Sequence, residues 1–301
     1  MTDAWRDDRR VGRILDDAEV LHVAVSARRG PHVTPTVFDA AGGRLWFVTP
    51  RRSVKARVIA RRRQVGALLQ VGDRALVIGG RARIVDPLTA RGVLSPGRLL
   101  DLPLAAAGYL DRNLRHALGT VRDHEAPTLA LSRVMVSIDV RRVALLDGPA
   151  VVEAWGRWAR TDLLLAGPPP PGRAPDLRAA PPALQALLAD GAGVVLGWQS
   201  LSGPLALPGR WRAGTATVET SAGALALAGA GTAGPACLTA QRSRYRLNDK
   251  EGVLVSGPGQ ARRPAADAAL TQVAVEARRA TWWIGEERRS VQMATNGPGC
   301  P

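Results

Sequence analysis

The chain has 301 residues, enough for one large domain or two of ordinary size, and its 46% hydrophobic and 22% charged residues are a globular balance. No run approaches 18 uncharged apolar residues, MTDAWRDDRR lacks the apolar centre of a signal peptide, and two cysteines (Cys237, Cys300) with four histidines make neither a disulfide framework nor a zinc site. The net charge of +15 is concentrated in residues 51–100, where twelve basic side chains stand against two acidic ones.

Trp5–Leu15 has helical spacing, with Trp5, Val11, Ile14 and Leu15 as its buried stripe. Val20–Ser26 alternates as a strand and Gly30-Pro31 turns the chain. His32–Phe38 and Arg44–Thr49 are expected to pair as a hairpin around Ala41-Gly42-Gly43. Ser53–Arg63 is a short basic helix with Ser53 as its N-cap. Val65–Val71 and Ala75–Val85 form a second hairpin, turned at Gly72-Asp73. Pro87–Thr120 is predicted helical, with breaks near Ser95-Pro96-Gly97 and at Pro103, and Arg133–Leu146 closes the unit as a long strand. The pattern predicts a small β-barrel with a helical insertion over 1–150. Proline-rich Ala166–Pro182 forms neither helix interior nor central strand, so 151–182 is expected to be a connection and linker, with a second unit over 183–301.

The two units share an ordered set of short matches. Gly30–Pro35 (GPHVTP) returns as Gly203–Pro208 (GPLALP), Val65–Leu69 as Gly234–Leu238, Ala75–Ala82 as Val253–Ala261, and Val134–Arg142 as Val273–Arg279. Gly-Pro pairs are common in a chain with 32 Gly and 22 Pro, so no single match is specific; their common order predicts two copies of one barrel, a mainly β architecture with some α.

The chemistry is concentrated in Thr49-Pro50-Arg51-Arg52-Ser53-Val54-Lys55-Ala56-Arg57. A strand ends, a turn follows and a helix begins, and a helix start presents backbone N–H groups and a positive dipole end that suit a phosphate. Thr49 and Ser53 add hydroxyls, while Arg51, Arg52 and Lys55 add charge. A lysine in a first helical turn opposes the dipole, a conflict that a nearby anion relieves. The plainer alternative is a solvated basic helix that Ser53 merely caps.

From Val20 to Asp86 the sequence resembles the flavin-binding split-barrel family of pyridoxamine 5′-phosphate oxidase-like proteins. The resemblance rests on Gly30, Pro31, His32 and Pro35, on the strand Leu45–Thr49, on the Ser53/Lys55 helix start, and on Gly80-Arg81-Ala82. It implies two tandem split β-barrels and FMN, or a related deazaflavin, as cofactor. Val33, Thr34, Pro35 and Thr36 would line its ring and Thr49, Arg51, Arg52, Ser53 and Lys55 its phosphate, with Gln70 in polar contact with the ring or ribityl chain. Flavin sites in the family lie between two barrels. A fused pair would therefore make an intramolecular pseudo-dimer, the second copy acting as a wall. That copy has Ser221–Leu227 in place of the phosphate segment, with no basic residue. The implied activity is an oxidoreductase moving hydride to or from an unidentified small molecule, and with no signal peptide or membrane span read from the sequence a cytoplasmic location is the default expectation. No residue stands out as an acid or base, so none is assigned a catalytic role. The alternatives are a non-catalytic flavin- or haem-binding protein of the same fold, and a basic nucleic-acid-binding barrel. Against the last, no Phe, Tyr or Trp lies between Thr49 and Leu100 to stack a base. Lys250, within Asn248–Gly252, is expected in an exposed hairpin turn, Cys237 in a packed strand, and His116 and His124 without metal-ligand spacing.

Overall fold

The computed structural model describes residues 4–85, 108, 132–162, 164–243, 250–265, 268–285 and 287–293. Nearly all of the predicted helical segment 87–120, and with it His116 and His124, lies outside the described residues. Among those residues no helix is long and apolar enough to cross a membrane, and no group of three His, Cys, Asp or Glu side chains is placed to hold a metal.

A 3-10 turn at Ala4–Arg6 leads into α1 (Arg9–Asp17). Trp5, Val11 and Ile14 are buried as the spacing predicts, but the helix starts later than expected because Asp8 caps it, accepting from the Arg10 and Val11 N–H groups. The first sheet is built from β1 (Leu21–Ala27), β2 (Gly30–Thr36), β3 (Phe38–Ala41), β4 (Arg44–Pro50), β5 (Gln64–Val71), β6 (Arg74–Val85) and β7 (Arg133–Asp147). Their order is β2-β1-β5-β6-β7-β4-β3, with β8 (Ala150–Gly156) added beside β7. The β5–β6 hairpin turns where predicted, with Val71 opposite Arg74.

The expected hairpin from His32 to Thr49 is only half present. The chain breaks at Val37: β2 pairs with β1, Thr36 opposite Leu21, whereas β3 pairs with β4, Phe38 opposite Phe47. One strand-like run thus supplies both edges of an open half-barrel. Strand β8 is a further difference, since its residues were assigned to the connection.

The second sheet contains β9 (Leu165–Ala166), β10 (Gly193–Ser200), β11 (Gly203–Arg212), β12 (Thr217–Ser221), β13 (Ala233–Ser243), β14 (Lys250–Arg263) and β15 (Leu270–Val275), with β9 pairing with β14. It runs β13-β10-β11-β12-β15-β14 and closes by pairing β13 with β14, a six-stranded barrel from which β16 (Arg279–Ile284) and β17 (Glu287–Gln292) extend beyond β14. Matching β1, β2, β4, β5, β6 and β7 to β10, β11, β12, β13, β14 and β15 gives both sheets one strand order, and the four sequence matches fall on corresponding strands. The proline-rich connection is extended but docked: the Gly172 N–H donates to the Thr215 carbonyl at 2.9 Å, Arg173 bridges to Glu276, and Leu177 and Ala180 are buried.

The position of the site follows from how the sheets meet. Leu21, Val23, Val25, Val65, Leu69, Leu76 and Ile78 pack in the half-barrel's own core with Val11, Ile14 and Ile59. The alternate positions Ala24, Leu68, Ala75, Val77, Ala144 and Leu146 pack into the core of the closed barrel. A strand buried on both faces reads as a nearly continuous apolar run, and small residues on the shared face let the backbones approach. At Gly66 a Cβ would sit 2.1 Å from the Pro204 carbonyl oxygen, so only glycine fits. Polar contacts set the relative position: the Thr239 hydroxyl donates to the Val33 carbonyl at 2.8 Å and the Gln64 amide to the Ser202 carbonyl at 3.0 Å.

Candidate functional site

Helix α2 (Val54–Arg61) begins where β4 ends. The Ser53 hydroxyl accepts from the Ala56 N–H at 3.1 Å and lies 3.0 Å from the Thr49 hydroxyl, so the strand end and helix start are tied together. Ala56 and Ile59 anchor the helix in the half-barrel core, and no acidic side chain occupies its first turn. Lys55 stands there instead and is only 7% exposed. Its ammonium donates to the Pro35 carbonyl at 3.3 Å and sits 5.5 Å from the centre of the Phe47 ring. One neutral acceptor and a ring face replace little of the water that a lysine loses on burial.

Lys55 opens into a cleft of about 460 Å³ between the two sheets. One wall is the half-barrel, with His32 and Thr34–Thr36 of β2, then Val37, Val48–Pro50, Arg52–Lys55 and Arg133. The other wall is one face of β14, β16 and β17, from which Lys250, Leu254, Thr281, Trp283 and Arg288 project. The pairing explains that face: Gly252 lies opposite Trp283, Leu254 opposite Thr281, and Trp283 opposite Arg288. The alternate residues Val253, Ala280 and Trp282 turn into the barrel core.

Among the described lining residues five are cationic (Arg52, Lys55, Arg133, Lys250, Arg288) and none is Asp or Glu. Burial, followed by the charges of Lys250 and Arg288, lowers the Lys55 pKa from 10.5 to about 7. Burial also lowers His32 to about 4, with Lys55, Arg288 and Arg279 acting in the same direction, so its imidazole is neutral at pH 7. Behind the cleft His22 is lowered to about 4 by burial and by Lys55. The Thr34 hydroxyl is buried in the cleft wall without a hydrogen-bond partner.

Of the ten residues read from the sequence, Thr34, Pro35, Thr36, Thr49, Arg52, Ser53 and Lys55 line this cleft. Three do not. Val33 points into the interface between the sheets, fully buried, with its γ-carbon beside Gly197. The Arg51 backbone N–H bonds the Ser132 carbonyl, and Arg51 is not among the lining residues. Gln70 is exposed and donates to the Gly72 carbonyl of the β5–β6 turn at 3.0 Å, which directs its amide along its own hairpin. Lys250 reverses its expectation: it begins β14 and faces the cleft. The clue was compositional, since Lys250 and Lys55 are the only lysines among 41 basic residues. Trp283 lies in Arg278–Trp283, which resembles the arginine- and tryptophan-bearing final strand of the split-barrel family, whereas Arg133 and Arg288 carried no comparable local signal. Cys237 is fully buried and burial pushes its thiol up to about 12, so it is a packing residue at neutral pH. In the second barrel Ser221 caps α4 (Ala222–Ala228; the short α3 is Pro182–Gln185), accepting from the Ala224 N–H at 3.1 Å as Ser53 does from Ala56, but without any cation.

No protein-family model and no curated protein matches the chain. Among solved structures it is similar to a conserved hypothetical protein from Mycobacterium tuberculosis, with 22% identity over 49% of this chain and 85% of that one and a TM-score of 0.35. It is also similar to a pyridoxamine 5′-phosphate oxidase-related, FMN-binding protein from Nostoc punctiforme (16% identity, 48% of this chain and 85% of that one, TM-score 0.36). A third is a haem-binding protein from Mycobacterium smegmatis (14% identity, 48% of this chain and 55% of that one, TM-score 0.35). Each similarity extends over about half of this chain.

Proposed function

We propose that the cleft binds the phosphate-bearing flavin FMN, with a deazaflavin coenzyme as the alternative, and that the chain is an oxidoreductase acting on a small molecule. The observation that supports this best is Lys55, a buried lysine at a helix start with no carboxylate among the described lining residues, beside the Thr49 and Ser53 hydroxyls. A phosphate there would accept from the helix start, the two hydroxyls and the ammonium, and would bring the missing negative charge. The Thr34 hydroxyl, buried without a partner, is a donor that a ring carbonyl or ring nitrogen would satisfy. Pro35, Val37 and Val48 supply apolar surface beside it. About 460 Å³ suits a ligand of this size. When bound, the flavin would supply hydride chemistry; the chain would bind, orient and shield it from water. The tandem, fused pair of barrels accords with this reading, since the cleft draws one wall from each sheet, and a monomeric intramolecular pseudo-dimer would then be the functional unit. A free small-molecule substrate is the partner in this reading, not nucleic acid.

The test is FMN titration followed by flavin fluorescence. Wild type should bind FMN and riboflavin unequally, with riboflavin much the weaker. Lys55→Ala should lose about 1.5–3 kcal/mol of FMN affinity, the scale of one charge-assisted hydrogen bond, and leave riboflavin affinity unchanged. Equal FMN affinity in both proteins would remove the phosphate role. Anaerobic bleaching of the bound flavin by a hydride donor separates an oxidoreductase from a non-catalytic binder, which would hold the flavin without exchanging hydride.

A further inference from the structure

The two halves build the same corner and finish it differently. Helix α4 follows β12 as α2 follows β4, and Gly223 holds the second helical position that Lys55 holds in α2. The hairpins that face the two helix starts also correspond. In the first half Leu146 of β7 pairs with Ala75 and the chain returns as β8. In the second, Trp282 of β16 pairs with Val253, the sequence match of Ala75, and the chain returns as β17. Each hairpin turns on a glycine in the left-handed region, Gly148 (φ 55°) and Gly285 (φ 58°).

The β16–β17 hairpin stands across the cleft from α2, with Gly285 in the lining. The β7–β8 hairpin instead reaches α4. The Ser221 hydroxyl donates to the Pro149 carbonyl at 2.6 Å, and Val151 lies over Gly223, where an added Cβ would come within 3.2 Å of its γ-methyl. The Ala222 N–H donates to the Ala269 carbonyl and the Ala224 N–H to the Ser221 hydroxyl, so two of the three amides that open α4 are engaged. Thr220, Ser221, Ala222 and Ala224 are each at most 2% exposed. Where Lys55 donates to the Pro35 carbonyl, the neutral Thr220 hydroxyl donates to the matching Pro208 carbonyl at 2.7 Å. Beyond β8 the chain stays on the helix, the Arg160 and Thr161 N–H groups donating to the Leu227 and Ala226 carbonyls at 2.9 and 3.0 Å. A backbone carbonyl thus takes the proton that Ser221 could offer a ligand oxygen, and a valine lies where a lysine would project.

We propose that the β7–β8 hairpin is a built-in plug. Its Pro149 carbonyl and Val151 side chain fill the corner of the second half that corresponds to the cleft, so each chain takes one cofactor, and the same contact latches the first sheet onto the second. The stoichiometry rests on the reading of the cleft as an FMN site; the latch does not. Glycine inside a helix is ordinarily a liability, and at position 223 it gives the hairpin room to seat. The open corner keeps a cation that calls for an anion, whereas the closed corner is satisfied by neutral groups of the chain itself.

FMN titrated into the full chain and followed by flavin fluorescence should saturate at one equivalent. Hydrogen exchange of the apo protein reads the latch without any cofactor. Ser221→Ala should speed exchange across residues 148–156 by about tenfold or more while moving FMN affinity less than about twofold. Gly223→Lys copies the lysine of the other half but must evict Val151, so it should loosen the same hairpin and bind no second FMN. The milder Gly223→Ala should raise the thermal midpoint more in a Val151→Ala background than alone, because the added methyl then meets no neighbour. A second equivalent of FMN on wild type or on Gly223→Lys would overturn the proposal. So would a Ser221→Ala protein that exchanges residues 148–156 at the wild-type rate, since Ser221 would then only cap α4. If no FMN binds while Ser221→Ala and Gly223→Lys still loosen the hairpin, the cofactor reading falls and the latch stands.

Discussion

Lys55→Met is expected to stabilise the apo protein while disabling it. Holding this lysine at about 7 instead of 10.5 disfavours the charged form by about 5 kcal/mol. Methionine keeps most of the stem against Phe47 and removes the charge. The change also leaves the Pro35 carbonyl without its partner, a loss of about 1–3 kcal/mol, so the net gain at pH 6 should be about 2–4 kcal/mol. The sign of the pH dependence follows from the lowered value. Between pH 7 and 10.5 the unfolded chain binds a proton at Lys55 that the folded chain does not, so wild-type stability rises with pH in that window. The advantage of Lys55→Met is therefore largest below pH 7 and shrinks by up to about 1.4 kcal/mol per pH unit above it. Thermal unfolding of both apo proteins at pH 6, 7.5 and 9 measures this. Saturating FMN should narrow the gap, since ligand at a hundredfold excess over its dissociation constant adds about 2.7 kcal/mol to the protein that binds it and less to the variant that binds it more weakly. A Lys55→Met protein less stable than wild type at pH 6, or a difference independent of pH, would refute the claim that the folded state bears an uncompensated charge.

The same lysine links FMN binding to protons: the phosphate raises the Lys55 pKa, so affinity should fall as pH rises above about 7, by up to tenfold per unit, and titrations of Lys55→Met from pH 7 to 9 should be flat. Gly66→Ala should cost about 3 kcal/mol or more in denaturant unfolding, because the new methyl collides with the Pro204 carbonyl across the junction of the two sheets; an unchanged midpoint would mean the sheets are not held together there. Light scattering should return the mass of one chain, 31.8 kDa, since the cleft already has both walls; a stable dimer would contradict the pseudo-dimer reading.

Local chemistry was legible in the sequence. The Ser53 cap, the basic helix behind it and the Gly72-Asp73 hairpin depend on residues within a few positions of one another, so spacing alone revealed them. The ordered matches between the two halves likewise pointed to sheets that share one strand order. Tertiary structure decided what spacing could not. His32–Phe38 looks like one strand because its residues suit a sheet throughout, and only the need to pair at both edges of the half-barrel breaks it at Val37. Val33 is apolar and next to the cleft, yet strand alternation sends it into the interface while its neighbour Thr34 faces the cavity. Lys250 looks like a turn residue beside Asn248 and Asp249, and becomes a site residue only because β14 runs under Trp283 and across from Lys55. The sequence by itself determined the half of the cleft that one strand end and one helix start can build. The other half required closing a barrel nearly two hundred residues further along, because a charged wall is defined by which strand faces it across space and not by its neighbours in the chain.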